Sequence, residues 1–393
     1  MIDEIKPRTA VEDDHEMPPW RQVFFYFLLL GFINVGGPVA QISMMYNHMV
    51  ERRRWLSKDR FVKIMAFCHM LPGPEALQLA IYVGYLKRRL WGGVVAGLTF
   101  ILPGAVIITI LSWLYVMYGS LPQVNDALYI LKPAVLGIIA AGIIKLGRAT
   151  IKNVVLATLL IGTFAAMRFV GINFLLLLIL AGLINLLIQE GLPRLRGAGA
   201  TAPVVILGLA AIDPTTSRLL QVAWLFLKTG MFSFGGAYAS LIFLQDGAVD
   251  QHHWLTSGQL LDGVALSVAT PGPFMLFATF VGYLAGGIPG AIVATFFVFL
   301  PSFVFVLGGA HYIEQVRDNR SVQAFLAGVS AAVVGVILVV SLVLLPEALV
   351  DLPSIAIAVI AFMLIVLGEV DIAFVAAGAM VTGIAYALLR ALA

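Results

Sequence analysis

The sequence predicts an all-α polytopic membrane protein made of two inverted repeats, each with about five spanning helices plus a re-entrant helical hairpin. Three observations carry that expectation. Of 393 residues, 61% are hydrophobic and 11% charged, more apolar surface than a soluble fold could bury. The apolar runs are long and continuous and do not alternate, which selects helices over a β-barrel. The triplet Pro72-Gly73-Pro74 returns, with its surroundings, as Pro271-Gly272-Pro273.

Taken in order, residues 1–19 form a polar tail containing Asp3, Glu4, Glu12, Asp13, Asp14 and Glu16, so no cleavable signal peptide is expected. The first transmembrane repeat covers 20–190. Its first apolar run, Trp20 to Tyr46, is long enough to span but is interrupted by Gly36-Gly37-Pro38. A basic stretch follows, with Arg52, Arg53, Arg54, Lys58, Arg60 and Lys63 against only Glu51 and Asp59. Ser57 suits the N-cap of the next helix, which runs to Leu71. At Pro72-Gly73-Pro74 that helix must stop, because proline lacks an N–H and glycine turns easily. A second short helix starts at Pro74, which suits a first helical position, and is closed by Lys87-Arg88-Arg89. Each arm is roughly 13–15 residues, about 20–22 Å long at 1.5 Å per residue. That is short of a bilayer core of about 30 Å. Both ends of the pair are basic, which favours a hairpin entering and leaving on one side over an ordinary loop between two spans. Four runs complete the repeat: Gly92–Tyr115 (interrupted by Pro103-Gly104), Leu128–Leu146, Asn153–Phe169 and Ile172–Ile188.

A linker is expected over 191–217, and the second repeat over 218–393. Gly36-Gly37 recurs as Gly235-Gly236 and Trp55-Leu56 as Trp254-Leu255, both at the same spacing of 199 as the Pro-Gly-Pro triplets. After one deletion the spacing is 198, seen in Val83-Gly84-Tyr85 against Val281-Gly282-Tyr283 and Leu102-Pro103 against Leu300-Pro301. Charge then orients the copies, since cytoplasmic loops carry the Lys/Arg excess. Arg52-Arg53-Arg54 corresponds to Gln251-His252-His253, and positions 246–262 hold no Lys or Arg. Equivalent loops on opposite faces mean inverted repeats. Lys132 near the outer face, and Glu369 with Asp371 in a cytoplasmic turn, fit this topology less well.

Inverted repeats with broken helices are a recurrent construction of secondary transporters, with the site at the repeat interface near the midplane. Helix N-termini expose N–H groups and partial positive charge, so the helices starting at Pro74 and Pro273 favour an anion. N–H groups such as those of Ala76 and Met275 are expected to remain available, and the diglycines to let backbone approach the same centre.

The pattern Gly36-Gly37-Pro38, Arg53-Arg54-Trp55-Leu56-Ser57, Leu71-Pro72-Gly73-Pro74, Phe232-Ser233-Phe234-Gly235-Gly236 and Thr270-Pro271-Gly272-Pro273 resembles the chromate ion transporter family over roughly residues 20–390. The resemblance implies a multi-pass carrier of the bacterial inner membrane exporting chromate, an oxyanion shaped and charged like sulfate. Where many members carry Thr-Ser-Ser-Gln after the first triplet, this chain carries Glu75-Ala76-Leu77-Gln78.

The expected substrate-binding residues are Gly36, Gly37, Pro72, Gly73, Pro74, Glu75, Lys228, Gly235, Gly236, Pro271, Gly272 and Pro273. Glu75 is either a helix-end carboxylate complementing the dipole or a protonatable gate. Lys228 either balances the oxyanion's charge or snorkels to the interface. His69 and Cys68 read first as packing residues, with a proton relay the alternative for His69. No P-loop, nucleotide fingerprint or zinc-ligand cluster appears, so no cofactor, metal, nucleic-acid partner or enzymatic activity is expected. The partners expected are a chromate- or sulfate-like oxyanion and the lipid bilayer; a homodimer is left open. A sulfate or small-carboxylate carrier and a passive anion channel are the rival functions.

Overall fold

The computed structural model describes residues 18–34, 38–190, 217–234, 237–309 and 319–392. The tail as far as residue 17, Gly36-Gly37, Gly235-Gly236 and nearly all of the expected linker lie outside the described residues.

Among the described residues, fourteen α-helices fall into two sets of seven. The first set is α1 (Trp20–Ile33), α2 (Pro38–Tyr46), α3 (Lys58–Cys68), α4 (Glu75–Tyr118), α5 (Pro122–Thr150), α6 (Val154–Ala165) and α7 (Phe174–Glu190). The second is α8 (Arg218–Phe232), α9 (Ala237–Leu244), α10 (Ser257–Ala269), α11 (Phe277–Gly309), α12 (Arg320–Ala348), α13 (Leu352–Val366) and α14 (Ile372–Leu392). The spacing of 198 or 199 that relates the sequence motifs also relates these elements. Even local distortions repeat. The α2 and α9 helices each run into a π turn, Asn47–Arg52 and Gln245–Gln251.

Lys87-Arg88-Arg89 does end the hairpin's second arm. Arg88 (φ −143°, ψ 26°) and Arg89 (φ 52°, ψ −149°) leave helical geometry inside α4, as Gly286 (φ −155°, ψ 26°) and Gly287 (φ 64°, ψ −151°) do inside α11. Arg88 also ties down the entrance to α1: its guanidinium donates to the Pro18 carbonyl at 2.6 and 3.1 Å and lies over the Trp20 ring. The arms on either side of the bend pass backbone to backbone. A Cβ on Gly84 would run into Gly92, and the equivalent pair Gly282 and Gly290 is as tight. Small residues at such crossings replace the hydrophobic driving force that lipid does not supply.

Pro103-Gly104 does not interrupt its helix, contrary to the sequence expectation; α4 runs through it, as α11 runs through Pro301. Proline at position 103 removes the donor to the Thr99 carbonyl. Gly31 of α1 packs onto that site: a Cβ there would lie 2.9 Å from Thr99 O and 2.8 Å from Phe100 O. Backbone contact across the bend takes the place of a break.

Five of the described helical segments are long and apolar enough to cross a membrane: those over Glu75–Tyr118, Pro122–Thr150, Phe274–Gly309, Arg320–Ala348 and Ile372–Leu392. The halves are interleaved. Helix α5 packs on α13 and α14, and α12 packs on α6 and α7, so each half encloses the last two helices of the other. Helices α4 and α11 meet between them, flanked by α1 and α8. Reciprocal contacts between equivalent elements are the signature of a local two-fold relation.

The crossing at Gly84 sets a stability test. Gly84→Ala is expected to lower the thermal midpoint of the purified protein in detergent, at a cost of about 1–3 kcal/mol from overpacking. Gly162→Ala, where nothing lies within 4 Å of the added methyl, is expected to leave it unchanged or slightly raised. Equal midpoints for the two variants would remove the crossing as a packing constraint.

Candidate functional site

The two hairpins are built alike. Ser57 caps α3, accepting from the Arg60 N–H, and Thr256 caps α10 in a reciprocal box with Gln259. The first arm ends at Cys68, short of the expected Leu71, and turns through His69 and Met70 into its triplet; the second runs to Ala269. Gly73 and Gly272 hold φ of 113° and 114°, a region open to glycine and strained for other residues. Pro74 and Pro273 adopt extended N-cap geometry, so the helices begin one residue later than expected, at Glu75 and in a 3₁₀ turn over Phe274–Leu276.

Each tip is fastened to the opposite half. The Gly73 N–H donates to the Ser233 carbonyl at 3.0 Å, and the Gly272 N–H to the Asn34 carbonyl at 2.7 Å. Ser233 and Asn34 occupy equivalent positions where α8 and α1 break off. The tip glycine N–H groups are therefore taken up in joining the repeats. Donors for a ligand must come from the helix ends beyond the tips, or from side chains.

Those side chains are neutral and buried. Gln41 Nε2 donates to the Gly272 carbonyl (3.1 Å), Gln78 Nε2 to the Pro72 carbonyl (2.6 Å), and Ser267 Oγ to the Phe274 carbonyl (2.8 Å). Ser233 Oγ turns back to the Thr229 carbonyl. Among the described residues, both polar atoms of the Asn34 side chain, Gln78 Oε1 and Ser302 Oγ have no hydrogen-bond partner, although all three residues are fully buried. None of these residues was among the expected binding residues, although Ser233 and Gln78 stand within quoted motifs. Their signal was polar character within apolar runs next to the breaks.

The structure brings together the two expected proton-coupling residues, His69 and Glu75. His69 Nδ1 lies 2.9 Å from Glu75 Oε2 across the first tip, while Cys68 beside it is buried in the apolar core. Lys228 is placed otherwise. Its amino group lies over the Trp224 ring and acts electrostatically on Asp246, both in its own half.

A cleft of about 240 Å³ opens beside the first tip, between His69, Met70 and Phe234 on one side and Gln323, Leu326, Ala327 and Ser330 of α12 on the other. The repeat spacing carries the α12 residues onto Asn125, Leu128, Tyr129 and Lys132 of α5. There the second hairpin is packed against α5. Lys132 Nζ pairs with Asp262 Oδ1 of α10 at 2.9 Å, and the Tyr115 hydroxyl donates to Asp262 Oδ2 at 2.8 Å. Nearby, Tyr129 donates to Asp351 at 2.6 Å and Arg390 bonds Asp126 at 2.6 Å. The Tyr129 hydroxyl and the Ser354 N–H hold the Asp351 carboxyl below its ordinary range. Lys132, awkward as a topology signal, thus belongs to an ion pair. Asp371, equally awkward, receives the Ala373 N–H at the start of α14. The pairing of Asp262 with Lys132 is not legible along the chain because the two charges lie in different runs, 130 residues apart.

A family model described as chromate transporter matches residues 21–186 and again 220–384. The chain is 33% identical to a chromate transport protein of Cupriavidus metallidurans over 97% of this chain and 98% of that one. It is 37% identical to a chromate transport protein of Pseudomonas aeruginosa, covering 84% of this chain and 83% of that one. With a probable chromate transport protein of Synechococcus elongatus the identity is 35%, over 87% and 89%. No solved structure matches the chain.

The Lys132–Asp262 pair predicts an asymmetric double-mutant cycle. Lys132→Met or Asp262→Leu alone leaves one buried charge uncompensated and is expected to cost about 3–5 kcal/mol, whereas the double variant recovers most of it. Thermal unfolding of the four proteins in detergent reads the cycle. Additive losses would show that the pair is not coupled.

Proposed function

Because the chain belongs to the chromate transporter family, we propose that it is a secondary-active carrier of chromate across the bacterial inner membrane, working in the direction of efflux. The observation that carries this reading is the inequality of two equivalent ends around one interlock. Beside the first tip the protein is open, at the cleft between His69 and Ser330. At the equivalent place beside the second tip it is fastened by Lys132, Asp262 and Tyr115. Alternating access needs two such ends that open in turn about a fixed centre.

Inverted repeats support the same reading. Five crossings and one returning hairpin per half make an odd number, which places equivalent loops on opposite faces. The basic loop at Arg52 to Arg54 against Gln251 to His253 agrees with that parity. In this arrangement the ends of α4 and of the Phe274–Leu276 turn direct their dipoles at the substrate between Pro72-Gly73-Pro74 and Pro271-Gly272-Pro273. Glu75, paired with His69, is the coupling carboxylate: protonation removes a negative charge from the tip a dianion approaches. Lys228 contributes positive potential from α8. Sulfate, with the same shape and charge, is the nearest competing substrate.

Counterflow in proteoliposomes tests the function. Vesicles preloaded with unlabelled chromate are expected to accumulate labelled chromate transiently and saturably, which a passive channel would not do. Gly272→Leu is expected to abolish the overshoot, since the side chain would be strained at φ 114° and driven against Leu276 and Gly104. Topology has its own check. In a Cys68→Ala background, cysteines at the equivalent exposed positions Arg52 and Gln251 are expected to label from opposite sides of the membrane. Labelling from one side would sink the inverted arrangement.

A further inference from the structure

We infer that Ser302 and Gln78 are direct contacts of the transported oxyanion, forming a half-site at the first tip; this rests on the oxyanion-carrier reading above. Three observations converge on it. The first is geometric. Gly73 has no side chain, and the place a Cβ would take lies 2.6 Å from Ser302 Oγ and 3.0 Å from Gln78 Nε2. Two polar groups from opposite halves of the chain point at one spot on a backbone turn that only glycine adopts easily.

The second is hydrogen bonding. A serine inside a membrane helix ordinarily returns its hydroxyl to a carbonyl one turn back, as Ser112 does to Ile108 and Ser341 to Ile337. Ser302 does not. Its hydroxyl is fully buried, faces the tip and has no partner among the described residues. Gln78 uses one amide N–H on the Pro72 carbonyl and has a second to give, while its Oε1 is also unpartnered. Buried polar atoms without partners are costly and call for an explanation, of which an exchangeable ligand is one.

The third is access. Met70 and Phe234 line the cleft, and they adjoin the tip and Ser233, the residue to which Gly73 is bonded. The cleft thus reaches residues that adjoin the tip, while Ser302 and Gln78 themselves lie buried behind its lining.

The chemistry selects the ligand. A hydroxyl and an amide N–H beside the first turn of α4 offer donors and positive dipole but no net charge. They suit an acceptor-rich anion that must be released again. Gln78 Oε1 adds an acceptor, which the hydroxyl of a singly protonated tetrahedral oxyanion would satisfy. Neutral donors hold such an ion against its cost of desolvation without the trap that a fixed lysine or arginine would set.

Ser302→Ala is the discriminating variant, because it removes only a hydroxyl that bonds nothing in the ligand-free protein. If that hydroxyl is merely a core group, its loss leaves ligand affinity untouched and the ligand-free thermal midpoint equal or higher. The half-site predicts a retained midpoint with chromate affinity weakened about ten- to hundredfold, the effect of removing one donor to a charged acceptor. Purified wild type, Ser302→Ala and Ser302→Cys are titrated with chromate and with sulfate, reading the shift in thermal midpoint. The near-isosteric cysteine, a weaker donor, serves where alanine does not fold and is expected to weaken binding in the same direction. Wild-type affinity in the folded variant overturns the half-site alone. Failure of both anions to stabilise the wild type overturns the oxyanion reading, and the half-site with it.

Discussion

Everything in this fold depends on how two interrupted helices satisfy their backbone inside an apolar surrounding. A break in a membrane helix leaves N–H and C=O groups that hydrocarbon cannot bond, so irregular backbone is tolerated only where protein covers it. Here each half supplies what the other lacks. The N–H of one tip meets the carbonyl at the other half's break, Gly73 with Ser233 and Gly272 with Asn34. Either half alone would leave its own tip unbonded. A second copy of the fold is thus a physical requirement of the broken helices, supplied here by the same chain, and the exchange of helices between α5, α13 and α14 and between α12, α6 and α7 follows the same pairing.

For the carrier proposed above, that exchange offers a way for the ends to move without dissolving the centre. The bonds between the tips and the breaks are backbone bonds over short reaches, held by residues whose dihedrals match in the two halves. The contacts that differ between the halves lie farther out. Helix α10 packs against both α5 and α12, whereas α3 has its principal contact with α4. A hairpin with fewer neighbours opens locally at lower cost than one locked into two long helices. The open cleft stands beside that less enclosed hairpin.

Much of this was legible in the sequence, and the limits are instructive. Special residues at constant spacing revealed the repeat because Gly73 and Gly272 need positive φ and Ser57 must cap; such local demands are written in single residue types. The end of the second arm at Arg88-Arg89 was read from charge, correctly, although the backbone there also turns through positive φ at Arg89. Pro103 misled, because whether proline breaks a helix depends on what covers the freed carbonyl, and Gly31 lies 72 positions away. Pairings such as Asp262 with Lys132, or Ser302 with Gly73, are properties of the interleaved fold. No periodicity along one helix records them.

The divergence of the two copies carries the last step. Positions that form the interlock have stayed alike: glycine opposite glycine at the tips, and small polar Asn34 opposite Ser233 at the breaks. Positions that line the two ends have not. His69 and Glu75 stand opposite Val268 and Phe274, while Lys132 and Asp262 stand opposite Ser330 and Lys63. A histidine–carboxylate pair thus sits at the tip in one half, and a lysine–carboxylate ion pair behind the hairpin in the other. With identical pairs at both ends, the open and closed arrangements would be equal in energy by symmetry, and nothing but the substrate could bias them. Unequal pairs remove that degeneracy, since a buried ion pair and an accessible one respond differently to water and to protons. In the carrier proposed above, the duplicated backbone would supply the two states and the divergent charges would make them unequal.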